Sequence, residues 1–238
     1  MFLGGWPDDS LSGWSPLFEQ LKARYRIVSL CPPQFESNCT EVKPWGYTFD
    51  ELVSMMDDSI KNAECKSPFT LIVHDWGSII GMLYQKRFPH KVKSMIIVDV
   101  GIKGPKDTSL WEILLIVLYQ WWNAWAYIVS QLFGTYMGYV VMLCFATFFK
   151  AFPFLQVCPY DKPHRPMQEV LDPHKLHLYY RFWRDFLMGR PLRPPFPTCP
   201  FLYMVRKVIW GYLCCPSACL LALSHYYVSA VYYMLSVW

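Results

Sequence analysis

Short apolar runs alternate with amphipathic stretches through the first part of the chain. Arg26-Ile27-Val28-Ser29-Leu30, Phe69-Thr70-Leu71-Ile72-Val73 and Ser94-Met95-Ile96-Ile97-Val98-Asp99-Val100 each have the β-branched content of a strand, and Met1-Phe2-Leu3 resembles the tail of another. The runs are continuously apolar, which predicts strands covered on both faces. Between them, helical spacing covers Ser15 to Tyr25 and Thr48 to Asn62. The second of these opens with Thr48 followed three residues later by Glu51, a capping box. A further helix is expected from Ile79-Ile80-Gly81-Met82. Alternation of this kind predicts the α/β class, a mostly parallel sheet with helices on both faces.

From Gly101 the pattern changes. Ile113 to Phe149 contains no Asp, Glu, Lys or Arg, and the run is long enough for two bilayer-crossing helices of about 20 residues each. Trp111, Trp121, Trp122 and Trp125 have the character of an interfacial aromatic belt. A basic, proline-bearing stretch follows from Lys150 to Pro166. A helix is then expected to start at Asp172-Pro173-His174 and run through Tyr179, Tyr180 and Trp183. Pro191 to Pro197 predicts a stiff linker, and Phe201-Leu202-Tyr203-Met204 a return strand. After Lys207 the chain again has no charged residue.

Composition narrows the function classes. With 54% hydrophobic and 17% charged residues the chain is packed or lipid-embedded, not disordered. The net charge of +4 is spread without a basic block, which excludes a nucleic-acid partner. The cysteines number 9, an odd count with no paired CxxC spacing, so reduced thiols of a cytosol-facing protein are expected and no metal site or cofactor is implied. Met1-Phe2-Leu3-Gly4-Gly5-Trp6-Pro7 has no basic segment followed by an apolar run, so no signal peptide is expected.

The most informative segment is Val73-His74-Asp75-Trp76-Gly77-Ser78, between a predicted strand and a predicted helix. A tight strand–turn–helix junction exposes one side chain at the strand's carboxyl end, and here that group is Asp75. A carboxylate so placed can attack an electrophilic carbon and form an ester. Backbone N–H groups at the helix start and in a glycine loop such as Gly4-Gly5-Trp6-Pro7-Asp8 can stabilise the developing anion.

Together these segments resemble the α/β-hydrolase superfamily, in particular its epoxide hydrolase and haloalkane dehalogenase branch. The resemblance rests on Gly4-Gly5-Trp6-Pro7, His74-Asp75-Trp76-Gly77 and Asp99-Val100-Gly101, supported by Trp45 to Leu52 and Phe88 to Val92, and spans roughly residues 1 to 204. Val73 stands where the branch commonly has glycine. The resemblance implies Asp75 as nucleophile and the backbone N–H groups of Trp6 and Trp76 as oxyanion hole. It also implies a cap tyrosine that protonates the leaving oxygen, for which Tyr179 and Tyr180 are the candidates, and a small apolar substrate.

The resemblance further implies a late histidine base and an acid that orients it. The only histidine after residue 204 is His225, in an unbroken apolar run, and Asp99 is the alternative acid. His90, His164, His174 and His177 are expected at the surface. The expected organisation is a core over 1–104, a helical apolar cap of membrane-inserting length over 105–198, a return strand over 199–204 and a non-family apolar tail over 205–238. On this reading the chain is an incomplete hydrolase, shortened at both ends. The Val205-Arg206 junction is compatible with a splice-donor string read through into intron. The alternative is a membrane-associated, non-catalytic protein of the same fold, and the expected location is an intracellular membrane or the cytoplasm.

Overall fold

A computed structural model describes residues 1–6, 14–35, 42–98, 110–148, 172–206 and 228–233. Six strands form one sheet: β1 (Phe2–Leu3), β2 (Ser29–Leu30), β3 (Phe69–His74), β4 (Val92–Val98), β5 (Phe201–Arg206) and β6 (Val228–Tyr233), in the order β2-β1-β3-β4-β5-β6. The first five pair in parallel, and β6 joins β5 antiparallel. From β1 the chain moves outward to β2 and then returns to lay β3, β4 and β5 on the other side, so the sheet reverses direction between β1 and β3. A crevice outside the carboxyl ends of two such strands is where open α/β sheets bind ligands.

The expected strand over 26–30 is shorter than the sequence pattern implies. Only Ser29–Leu30 pairs, because β1 offers a ladder of two residues, Phe2↔Ser29 and Leu3↔Leu30. Arg26 instead donates its guanidinium to the carbonyls of Ala63 and Glu64 at 2.7 and 3.2 Å. The central strands also differ from a sheet sealed equally on both sides. In β3, Leu71 and Val73 are fully buried, while Ile72 and His74 on the opposite face are half-buried. The return strand runs two residues beyond Met204, and part of the expected tail pairs with it as β6.

Helices α1 (Ser15–Leu21), α2 (Phe49–Asn62) and α3 (Trp76–Arg87) accompany the sheet. The first ends four residues earlier than its apolar spacing predicts and passes into a turn, with Tyr25 N–H donating to the Leu21 carbonyl. The capping box of α2 is present: Glu51 N–H donates to Thr48 Oγ1 at 3.2 Å, and Thr48 N–H to Glu51 Oε2 at 2.8 Å. Leu52, Val53, Met56 and Ile60 of α2 join Ile80, Met82 and Tyr84 of α3 in a core with Leu71, Val73, Met95 and Ile97.

Two long apolar helices follow, α4 (Leu110–Phe133) and α5 (Thr135–Phe148), separated at Gly134, whose φ of +92° lies in the region that favours glycine. They pack on each other; α4 also packs on α6 (His177–Leu187), and both touch the 3₁₀ turn over Pro173–Leu176 that introduces it, with Asp172 accepting from His174 N–H.

One buried ion cluster binds α2 to α3 and the turn before β4. Asp57 accepts from Tyr84 Oη at 2.9 Å and from Lys91 Nζ at 2.6 Å, with Lys61 Nζ 2.8 Å from its other oxygen. Burial alone would raise the Asp57 carboxyl, but hydrogen bonds from Lys61, Lys91 and Tyr84 hold it down at about 2. Asp57→Ala leaves two of these donors facing a hole. It is expected to cost about 3 kcal/mol, or roughly 6–12 °C in thermal midpoint, as read by urea and thermal unfolding.

Candidate active site

The strand β3 ends at His74, and α3 begins at Trp76, leaving Asp75 to make the turn alone. Its backbone sits at φ 50° and ψ −130°, which a side chain with a Cβ rarely adopts and which costs of order 1–3 kcal/mol. The turn is closed by Ser78 N–H donating to the Asp75 carbonyl at 2.8 Å. The helix therefore starts three residues before the apolar run that announces it.

Small residues make room for the turn. A Cβ on Gly77 would lie 2.5 Å from the carbonyl oxygens of both Leu3 and Gly4, so the end of β1 rests directly on the helix start. A Cβ on Gly5 would fall against Asp75 Oδ2 and 2.6 Å from the Trp76 nitrogen. The glycine loop is thus in contact with both the carboxylate and the first N–H of the helix. Val73 is accommodated by a third glycine: a Cβ on Gly81 would stand 2.7 Å from Val73 Cγ1.

Aromatic residues roof the turn. Trp76 meets Tyr179 edge-on at 4.9 Å between centroids, and Trp6 lies 6.3 Å from both Tyr119 and Tyr179. The two phenol oxygens are 2.6 Å apart. Burial raises both phenols, and the charge of Asp75 adds to the rise, so both stay protonated at neutral pH. The indole N–H of Trp6 is buried without a hydrogen-bond acceptor among the described residues, an arrangement that costs about 1–3 kcal/mol, while Trp76 interacts with the Tyr179 phenol.

Of the two tyrosines singled out by the sequence, Tyr179 faces the turn. Tyr180 packs against Trp45 and Tyr127, at 5.5 and 5.4 Å. Tyr119 was not anticipated. Its signal is present in the sequence: Tyr119, Asn123, Tyr127 and Ser130 recur at helical spacing as polar groups within an apolar helix, and Asn123, Tyr127 and Ser130 are buried. Asp99 and His225 lie outside the described residues, as do Pro7, Val100, Gly101, His164 and the stretch from Lys150 to Pro166. Among the described residues no group of three or more His, Cys, Asp or Glu side chains is placed to hold a metal ion.

The expectation of a surface position holds for His90 but not for His177. His174 is half-buried, and His177 is fully buried under the cap, ringed by Phe35, Tyr47 and Tyr127 at 6.0–6.4 Å. The reason is the segment Trp45-Gly46-Tyr47, where Gly46 at φ +68° lets the backbone touch the imidazole: a Cβ there would be 2.6 Å from His177 Cβ. Arg181, one turn on, donates to the Gly46 carbonyl at 3.1 Å. His177 and Arg181 thereby clamp α6 to the loop that precedes α2.

A family model described as alpha/beta hydrolase fold matches residues 1–130. A cis-3-alkyl-4-alkyloxetan-2-one decarboxylase from Shewanella oneidensis is 32% identical over a stretch covering 36% of this chain and 30% of its own length. The chain thus spans under a third of that relative. Among solved structures, the Bacillus megaterium epoxide hydrolase in complex with an inhibitor superposes with a TM-score of 0.56 at 19% identity, over 84% of this chain and 72% of that one. A thermophilic esterase from Thermogutta terrifontis gives 0.54 at 14% identity, over 86% and 69%. At these identities the superpositions establish the fold, an α/β-hydrolase sheet with a helical cap.

The buried imidazole has a pH consequence. Desolvation lowers His177 from 6.5 to about 4, so it is neutral in the folded chain. The unfolded chain takes up this proton near pH 6.5 and the folded chain only near pH 4, so stability is full above 6.5 and declines as pH falls toward 4. The loss is of order 3 kcal/mol by pH 4. His177→Phe is expected to flatten the dependence of the urea midpoint on pH between 4 and 6.5, and an unchanged slope would refute the buried neutral state.

Proposed function

Because the chain belongs to the α/β hydrolase fold family, we propose that it is an epoxide hydrolase-like protein in which Asp75 is the nucleophile toward a small apolar epoxide or related electrophile. The observation that carries this reading is the backbone of Asp75, a non-glycine residue held at φ 50° at the sheet's reversal point with its carboxylate against Gly5. Strain of this kind is retained where a side chain must be presented, and the carboxylate is the group presented here.

The chemistry follows from the neighbours. An Asp75 oxygen forms a bond to an epoxide carbon, the ring carbon–oxygen bond breaks, and the electron pair leaves on oxygen. The Tyr119–Tyr179 pair supplies the proton to that oxygen, since both phenols are buried, protonated and hydrogen-bonded to each other. Tyr179 is the direct donor in this scheme and Tyr119 supports it. The backbone N–H groups of Trp6 and Trp76 serve the next step, when attack on the ester carbonyl puts charge on its oxygen. In this reading the described residues within 1–104 act as the core and those within 105–198 as the cap over the ester.

Hydrolysis of the ester needs a base, and in this reading none is at hand for it among the described residues. In this reading the ester outlives the first turnover. Incubation with an apolar epoxide such as styrene oxide is expected to add one equivalent of its mass, localised to the peptide bearing Asp75. Asp75→Ala is expected to abolish the adduct, and labelling that survives that change would sink the assignment. Tyr119→Phe/Tyr179→Phe together should slow adduct formation roughly 10²–10⁴-fold.

A second reading, a membrane-spanning non-catalytic protein, draws on Ile113–Phe133, which is long and apolar enough by length and composition to cross a bilayer. The packing of α4 speaks against it. One face of the helix carries Asn123, Tyr127 and Ser130 buried against the cap, and Tyr119 bonded to Tyr179. Trp111→Cys and Phe133→Cys, near opposite ends of α4, are expected to react with an impermeant maleimide from the same side of sealed vesicles. Opposite-sided labelling would favour the spanning form.

A further inference from the structure

The face of α4 turned away from the site is apolar along its whole length. Leu114, Leu118, Trp121, Trp125 and Leu132 are all exposed, three, four or seven residues apart, and so form one stripe. The helix is about 36 Å long at 1.5 Å per residue. The stripe does not stop at its edge: Trp121 packs on Trp183 of α6 at 5.4 Å, and Trp183 on Phe186 at 5.6 Å. Leu187 and Met188, next along the chain, are 69% and 55% exposed. A contiguous apolar patch over two helices is the kind of surface that marks an interaction site.

Charge selects the occupant. Arg190 and Arg193 are exposed immediately beyond Met188 and form no ion pair among the described residues. Asp185 is half-buried and held by Arg184 at 3.3 Å, and Glu112 is the only other acid in α4, α5 or α6. An apolar stripe rich in tryptophan with cations at its rim matches the boundary between acyl chains and anionic headgroups. A second copy of the same face would bring the same arginines around a shared patch, where they repel.

We propose that this face seats the protein in the interface of an anionic lipid bilayer, with α4 lying in the membrane plane and the site opposite. A crossing orientation would strip α4 from α6 and break the Tyr119–Tyr179 hydrogen bond, leaving two phenols without partners in hydrocarbon, which is costly for each. An in-plane helix keeps them packed. Its inner face then holds Tyr119 over the turn while its outer face meets lipid, so an apolar substrate dissolved in the bilayer lies close to the cap. The proposal does not depend on the chemistry of Asp75.

The test uses the full chain without substrate. Sedimentation with phosphatidylcholine vesicles, with and without about one-third phosphatidylserine, is expected to show binding that strengthens with anionic lipid and a blue shift of tryptophan emission. Trp121→Asp/Trp125→Asp should weaken binding at least tenfold on both vesicle types. Arg190→Gln/Arg193→Gln should weaken it roughly tenfold on anionic vesicles only. All four positions are on or near the surface, and circular dichroism verifies that the variants fold. Absence of vesicle binding, binding unaffected by the tryptophan changes, or a dimer in solution that Trp121→Asp/Trp125→Asp dissociates would each overturn the proposal.

Discussion

The level ending of β1 and β3 is the constraint from which the rest of the structure follows. Leu3 pairs with Val73 in parallel and β3 runs one residue further, to His74, so the two strands release their chains within one residue of the same height. The glycine loop and the Asp75 turn then compete for one volume. They share it because Gly5 and Gly77 have no side chain and because Asp75 accepts a left-handed backbone. Substitution at either glycine would push β1 away from the helix start, and the carboxylate would lose the backbone beside it. The cost of the strained turn is small against the burial of Leu71, Val73, Ile80 and Ile97 around it, each fully desolvated side chain contributing about 1.5–3 kcal/mol.

The cap is held at two points of different character. Over the turn it is held by phenols and indoles in edge contact, adaptable aromatic packing in which the Tyr119–Tyr179 bond links α4 to α6. Away from it, the His177–Gly46–Arg181 contact is a tight, polar clamp with no room for a side chain at 46. The clamp fixes where α6 starts, and a short reach along that helix fixes where Tyr179 lies. The position of Tyr179 over the Asp75 turn is therefore set by a contact away from that turn.

Legibility in the sequence divided along the range of the interactions involved. The α2 capping box, the strand over Phe69–His74 and the Asp75 turn are local, and residues within a few positions of one another specify them. The parallel sheet followed from periodicity, and the helical cap from the resemblance to the α/β-hydrolase superfamily. Hidden were features that depend on what arrives from afar. His177 has the composition of a helix end, and only the approach of Gly46 buries it. The choice of Tyr179 over Tyr180 is set by which face of α6 meets Trp76. Tyr119 was masked by the apolar run around it, although its polar companions at helical spacing mark the inner face. The strand over residues 26–30 is shorter than its apolar pattern because a strand's length is a property of its partner as well as of itself.

Val73 and Gly81 share a single allotment of space. The isopropyl group of Val73 reaches to within 2.7 Å of where a Cβ on Gly81 would stand, so the strand side chain occupies the space that the helix position leaves open. Neither position can be enlarged alone, because a side chain at 81 requires a smaller one at 73. The two residues are therefore constrained as a pair across the layers, and a motif written one position at a time does not carry that constraint.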